Sequence, residues 1–251
     1  MKKNVFYLFA HQDDEFGAFI DISIKIKNYN IYVFYLTSGY GSNISKYKLL
    51  KRDKESIKVL NKLGVRNKNI LFLGKKLNIK INRLYLNLSK VYKELILFTK
   101  FIKPHILITH SWEGGHEDHD ACNLIARKIG FKFKNIDKFK EFSLYNAYKR
   151  RLLYFKVFNP IKKRGTYSRT NFFNRLLYVR FLFYYITQFK IWIGLYPFVI
   201  MHYLFLGYNF LQPLNNCKKI KKPHKGRLLY EIRNFCNFKE FKSKTIFFLS
   251  H

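Results

Sequence analysis

Acidic residues are scarce in this 251-residue chain: 15 Asp plus Glu stand against 48 Lys plus Arg, so the formal charge is 48 − 15 = +33. An excess of that size promises non-specific attraction to polyanions at low salt. No nucleic-acid-binding motif accompanies it, and the basic residues are scattered rather than gathered on one helix, so no specific nucleic-acid partner is expected. Cysteine is also sparse. Cys122, Cys217 and Cys236 are odd in number and have no CxxC spacing, which excludes a disulfide framework and a thiolate zinc site and points to a reducing compartment. The opening apolar run, Val5 to Ala10, is broken at once by Asp13-Asp14-Glu15, too short for a secretory signal and better read as a buried strand. What abounds is apolar: 48% of the residues are hydrophobic and 19% aromatic. That content can build a core, which a disordered basic tail cannot.

Because carboxylates are few, their positions are informative. Seven of the fifteen fall in two short segments, Asp13, Asp14, Glu15 and Glu113, Glu117, Asp118, Asp120, whereas Phe142 to Tyr230 contains none. Histidines accompany both clusters: His11 beside the first, His110, His116 and His119 beside the second. Imidazoles with carboxylates make a ligand set for a divalent metal.

The first half alternates. Val5–Ala10, Ile31–Thr37, Ile70–Leu73 and His105–Thr109 read as strands. Ala18–Lys27, Tyr47–Leu63, Leu84–Ile102 and Asp118–Ile129 read as helices, the last ended by Gly130. Such alternation predicts an α/β fold, a Rossmann-like, mostly parallel sheet with helices on both faces. In sheets of this kind the site lies beyond the carboxyl ends of the strands, so the two clusters are expected to meet. The second half reads less clearly. Glu141–Tyr148 and Ile246–Leu249 suggest strands, and Asn174–Lys190 an aromatic, basic helix. We expect one domain over 1–251, with an α/β core over 1–140 and a basic, aromatic-rich C-terminal elaboration or cap over 141–251. Ile191–Asn216 carries no charged residue and is long enough to cross a bilayer, but its aromatics and two prolines favour a membrane-surface or core element.

The motifs themselves suggest chemistry. Ala10-His11-Gln12-Asp13-Asp14-Glu15 ends the first strand, where His11 and Asp14 can face one side as ligands while Asp13 reaches the same space. His110-Ser111-Trp112-Glu113-Gly114-Gly115-His116-Glu117-Asp118-His119-Asp120 ends another strand, turns at Gly-Gly and opens a helix, on which His116 and His119 are neighbours three apart. Two His and one Asp would leave coordination positions open, as a catalytic site requires. His105 and His110 are expected to satisfy backbone groups, Glu15 to support the turn, and His224 to be plain loop. Lys75-Lys76 lacks the spacing of a phosphate loop.

AHQDDE followed by HEDHD resembles the PIG-L or LmbE-like N-acetylglucosaminyl deacetylases, a zinc-dependent, Rossmann-like family with the motifs (A/P)HxDDE and HxDH. Gln12 stands where the family commonly has Pro, at a position with no ligand role. The resemblance covers about the first 130 residues and implies that His11, Asp14 and His119 hold Zn2+, the same donors also accepting iron or cobalt. It further implies Asp13 as general base, His116 as general acid or oxyanion stabiliser, and Asp118 orienting an imidazole. Arg52 occupies a helix position where the family often has an Arg facing the substrate. Ser38-Gly39-Tyr40-Gly41-Ser42 could line a sugar pocket. The expected substrate is an N-acetylated amino sugar of the N-acetylglucosamine type, in a glycan precursor, glycolipid or sugar conjugate. The basic, aromatic second half suggests a lipid-linked or anionic carrier. The expected location is cytoplasmic, peripheral at the inner membrane face. The competing expectation is a basic nucleic-acid-binding or membrane-associated protein without catalysis.

Overall fold

The computed structural model describes residues 2–41, 46–134, 136–149 and 156–250. Five strands, β1 (Lys3–Phe9), β2 (Tyr29–Tyr35), β3 (Ile70–Leu71), β4 (Ile106–His110) and β5 (Lys140–Phe142), form a parallel array in the order β3-β2-β1-β4-β5. Val5 aligns with Ile31 on one side and Ile106 on the other. A parallel strand covered on both faces needs an unbroken apolar run. β1 supplies one, buried from Val5 through Phe9.

Alternation along β1 then divides two cores. Val5, Tyr7 and Phe9 join Ile31, Val33 and Tyr35 on the face covered by α1 (Phe19–Lys25) and α2 (Lys46–Lys62). Phe6, Leu8 and Ala10 join Phe34 and Leu36 on the other, behind the short α3 (Leu73–Lys76), α4 (Leu88–Thr99) and α5 (Glu117–Phe133). From β1 the chain builds outward to β2 and β3, then returns to lay β4 on β1's other flank. The crevice at that switch point lies between the loops after β1 and β4.

The second half joins the same body. β6 (Tyr145–Asn146) and β7 (Lys156–Val157) form a small ribbon; β8 (Thr166–Arg169) and β9 (Tyr208–Pro213) extend the main sheet antiparallel beyond β5. Tyr178 and Phe181 of α6 (Phe172–Leu182), with Tyr196 and Tyr203, pack into the first core. Leu228, Tyr230, Phe241 and Phe248, around α9 (Leu229–Ile232) and α10 (Phe238–Thr245), pack into the second.

Several expectations are corrected. Ile246–Leu249 is not a strand but a run of turns that closes α10. α5 runs through Gly130 to Phe133 and stops at Lys134, whose φ of 52° is left-handed. The Glu141–Tyr148 strand splits into β5 and β6 because the distant Glu113 carboxylate takes the Leu144 and Tyr145 amides. Leu84–Ile102 begins as a separate 3-10 turn over Leu84–Leu86. Ile191–Asn216 breaks into the end of α7 (Phe189–Gly194), then α8 (Tyr196–Met201), a π-helical turn over His202–Leu206 and β9. Among the described residues no helix is long and apolar enough to cross a membrane.

Candidate active site

The loop after β1 is held in an unusual shape. Asp13 has φ 108°, a left-handed conformation for a residue with a Cβ, which costs about 1–3 kcal/mol unless its surroundings impose it. Here they do. Arg52, brought from α2, donates to the Gln12 carbonyl (2.8 and 3.1 Å), the Gly39 carbonyl and Asp13 Oδ1 (3.1 Å). The Asp13 amide donates to Glu15 Oε2 at 3.0 Å, and Tyr185 donates to Glu15 Oε1 at 2.7 Å. Arg52 thus faces the back of the loop and reaches the site only through Asp13.

Asp14 lies at the centre of three imidazoles. Its carboxylate is 3.2 Å from His110 Nε2, 3.2 Å from His119 Nε2 and 3.5 Å from His11 Nδ1, and accepts the His11 amide at 2.7 Å. Burial acts to raise its pKa, but His119, His110 and His11 outweigh it and hold Asp14 well below the carboxylate range. Asp118 opens α5 and works from the other side: it accepts His11 Nε2 at 3.0 Å, the Asn82 amide at 2.7 Å and the Leu84 amide at 2.9 Å. An ionised carboxylate can only accept, so the network assigns a proton to His11 Nε2 and turns Nδ1 toward Asp14. Burial opposes a charge on His11, yet Asp14 and Asp118 push it up to about 10. This point in the fold therefore calls for positive charge.

His116 is the N-cap of α5, and its Nδ1 accepts the Asp118 amide at 3.1 Å. The remaining proton sits on Nε2. Burial, then the neighbouring His11 and His119, hold its pKa well below the usual range, leaving a neutral N–H donor. Asp13, by contrast, is pushed up to about 7 by burial, against the pull of Arg52.

Donor chemistry decides whether a metal fits. The ligand atoms of His11, Asp14 and His119 lie within 4.8 Å of one another, as do those of His11, His116 and Asp118. His119 is buried, with Nε2 3.2 Å from Asp14 and Nδ1 without a hydrogen-bond partner, and burial lowers its pKa to about 3. A neutral imidazole beside an anionic Asp14 suits a divalent cation.

The other anticipated residues sit at the margin. Ser38 donates to the Ile79 carbonyl at 2.7 Å and Tyr40 to Asn78 Oδ1 at 3.1 Å, tying the loop after β2 to residues 78–79. Ser42 lies outside the described residues. Sequence reasoning passed over His110, which accepts the Ala10 amide at 3.2 Å, as a backbone partner should, but also touches Asp14 and stacks on His119 at 3.9 Å. It passed over Glu113 too. That carboxylate gathers the Ser143 hydroxyl, the Leu144 and Tyr145 amides and the Asn146 amide group, and so sets Tyr145 against His119 at 5.3 Å.

Burial lifts Glu113 from its ordinary 4.5 to about 8. A carboxyl with a raised folded-state pKa stabilises fully below the unfolded value and loses that contribution as pH rises through the folded one. Glu113→Gln should therefore flatten the fall in stability between pH 5 and 8 that the wild type shows, a change on the order of a few kcal/mol. Urea unfolding across that range checks it; parallel slopes for both proteins would refute it.

Fold and site together define a doubly wound α/β protein with a buried His/Asp cluster at its switch point. The chain belongs to the PIG-L family: residues 6–129 match the family model described as GlcNAc-PI de-N-acetylase. No curated protein matches the chain in sequence. Among solved structures, a deacetylase complex from teicoplanin biosynthesis and a zinc-inhibited form of teicoplanin deacetylase each align at TM-score 0.61 and 14% identity, over 83% of this chain and 96% of theirs. N,N'-diacetylchitobiose deacetylase from Pyrococcus horikoshii aligns at TM-score 0.59 and 17% identity, over 84% of both chains. At these identities the likeness is one of fold.

Proposed function

We propose that the protein is a metal-dependent N-deacetylase that hydrolyses the acetamide of an N-acetylglucosamine-type sugar. The observation that carries this is the buried convergence of His11, Asp14 and His119, their ligand atoms within 4.8 Å of one another, with the buried Asp13 carboxyl next to Asp14 in the chain. His11, Asp14 and His119 would hold the ion. Zinc is the first candidate, and when bound such an ion polarises the carbonyl and acidifies water. Asp13 removes a proton from the attacking water as its oxygen bonds to the acetyl carbon. His116 Nε2–H donates to the oxygen on which charge develops. As the C–N bond breaks, the proton held by Asp13 passes to the leaving nitrogen, so that acetate and a free amine separate. Arg52 positions Asp13, while Ser38 and Tyr40 shape the sugar side. Dialysis against a chelator should abolish acetate release from N-acetylglucosaminyl phosphatidylinositol or N,N'-diacetylchitobiose, and titrated metal should restore it. Zinc is best added only to equivalence, since a structurally similar deacetylase is known in a zinc-inhibited form. Undiminished activity in the metal-free protein would rule out metal dependence.

The carrier we propose is lipid-linked or anionic, met at a membrane surface on the cytoplasmic side. α6 turns Tyr178, Phe181 and Leu182 inward, yet Phe173, Leu176, Leu177 and Phe183 are exposed, Phe173 by 81%. Those four recur at helical spacing on the opposite face. Arg180 stands among them, and the whole stretch Phe142–Tyr230 lacks an acid. An apolar face carrying a cation, in a stretch without acids, suits an anionic bilayer. The protein should sediment with vesicles containing phosphatidylglycerol, and Phe173→Glu with Leu176→Glu should release it. Indifference to lipid charge and to the substitutions would count against the surface.

A further inference from the structure

Against the outer side of the loop that carries His116 lies a cavity of about 650 Å3, bounded by Trp112, by Arg127 of α5 and by the segments around Lys162 and Lys221. Arg127 is the unusual member. It is 1% exposed, its Nε donates to Asn123 Oδ1 at 2.7 Å, and its guanidinium lies 4.8 Å over the Trp112 ring. Its Nη2 is buried with no hydrogen-bond partner. A guanidinium carries five donors and no acceptor, so an idle buried nitrogen is expensive unless something comes to meet it. Ser111 Oγ, on the same lining, is likewise buried and unpartnered.

The charges around it favour an anion. Arg127, Lys162, Arg164, Lys219 and Lys221 line the cavity; Lys222 does too but is paired with Glu231 at 2.9 Å. Of the lining acids, Glu141 accepts from Gln212 and Asn123 and, with Asp120, acts on the Arg127 charge, while Glu113 has both of its oxygens taken by residues 143–146. Asp137 remains on the wall. The volume admits a phosphate or diphosphate group with room to spare.

We infer that this cavity is a binding site for a phosphate or diphosphate group, read by the Arg127 guanidinium and the Ser111 hydroxyl within and by Lys162, Arg164, Lys219 and Lys221 at the mouth. Planar guanidinium with surrounding ammonium groups is the donor set that such oxyanions select. Because Ser111 and Trp112 lead directly into the Gly114-Gly115 turn before His116, an occupant braces the loop that carries the proposed oxyanion donor. The site stands whether or not the deacetylase reading holds, since binding is measured without turnover.

A protein with formal charge +33 will attract anions everywhere, so the test must separate a site from a surface. The full chain is titrated calorimetrically with pyrophosphate at fixed ionic strength. One saturable site is expected. Lys162→Ala with Lys221→Ala should weaken it by about tenfold or more, the loss of two charge-assisted contacts. Lys54→Ala with Lys93→Ala, which removes the same charge from exposed positions on α2 and α4, should leave it within about twofold, as distant screened charges do. Arg127→Met should abolish it, with the rim variant serving if that protein does not fold. Inorganic phosphate and a nucleoside diphosphate, titrated in parallel, distinguish a free group from a carried one. Absence of saturable binding, or equal weakening by both lysine pairs, would overturn the assignment.

Discussion

Asp13→Asn is expected to lower acetate release by roughly 10^2- to 10^4-fold, the range for loss of a general base, while metal binding persists. The substitution keeps the shape of the side chain and an oxygen for Arg52, which now holds Asp13 Oδ1 at 3.1 Å. The left-handed turn at residue 13 is fastened mainly through the Gln12 and Gly39 carbonyls and through Glu15, so the loop should persist. What disappears is a group able to take up a proton and return it. Asp13 sits near neutrality because burial raises it and Arg52 restrains it, whereas an amide has no such capacity. Metal content by elemental analysis and turnover should therefore separate cleanly. Full activity would remove Asp13 from the mechanism, and loss of metal would move it into the ligand set.

Asp118→Asn is expected to have the second largest effect, a fall in metal affinity of about 10- to 100-fold, as when the carboxylate behind a ligating histidine is lost. Asp118 touches no proposed ligand position except through His11, whose Nε2 it holds at 3.0 Å. Its Oδ1 and Oδ2 also accept the Leu84 and Asn82 amides. An amide side chain must offer its NH2 to one of these donors, so a drop in stability of about 1–3 kcal/mol is expected as well. Competition with a chromophoric chelator reads affinity and thermal unfolding reads stability. Unchanged affinity in a destabilised protein would make Asp118 a merely structural acid.

How far residues alone could lead depended on the range of the forces involved. β1, β2, β4, α2 and α5 were legible because buried parallel strands and amphipathic helices write their periods locally. The break between β5 and β6 was not, since its cause, Glu113, is about thirty residues away. Ile246–Leu249 has a strand's composition, but it follows α10 and turns to bury Phe248 and Leu249 in the second core. In the site, His11, Asp13, Asp14, His116, Asp118 and His119 were singled out from two clusters, and the fold brings all six together. Spacing could not say which imidazole Asp118 serves, because its partner His11 is 107 positions distant. His110 ends β4 on the same face as the buried Ile108, and alternation along that strand was the one available hint that it faces Asp14.

The most direct test of the central claim is the stoichiometry of the reaction. Metal-replete protein incubated with an N-acetylglucosaminyl conjugate should produce free amine and acetate in equal amounts, both absent with Asp13→Asn. Turnover of the conjugate without acetate, or acetate released equally by the Asp13→Asn protein, would contradict the account.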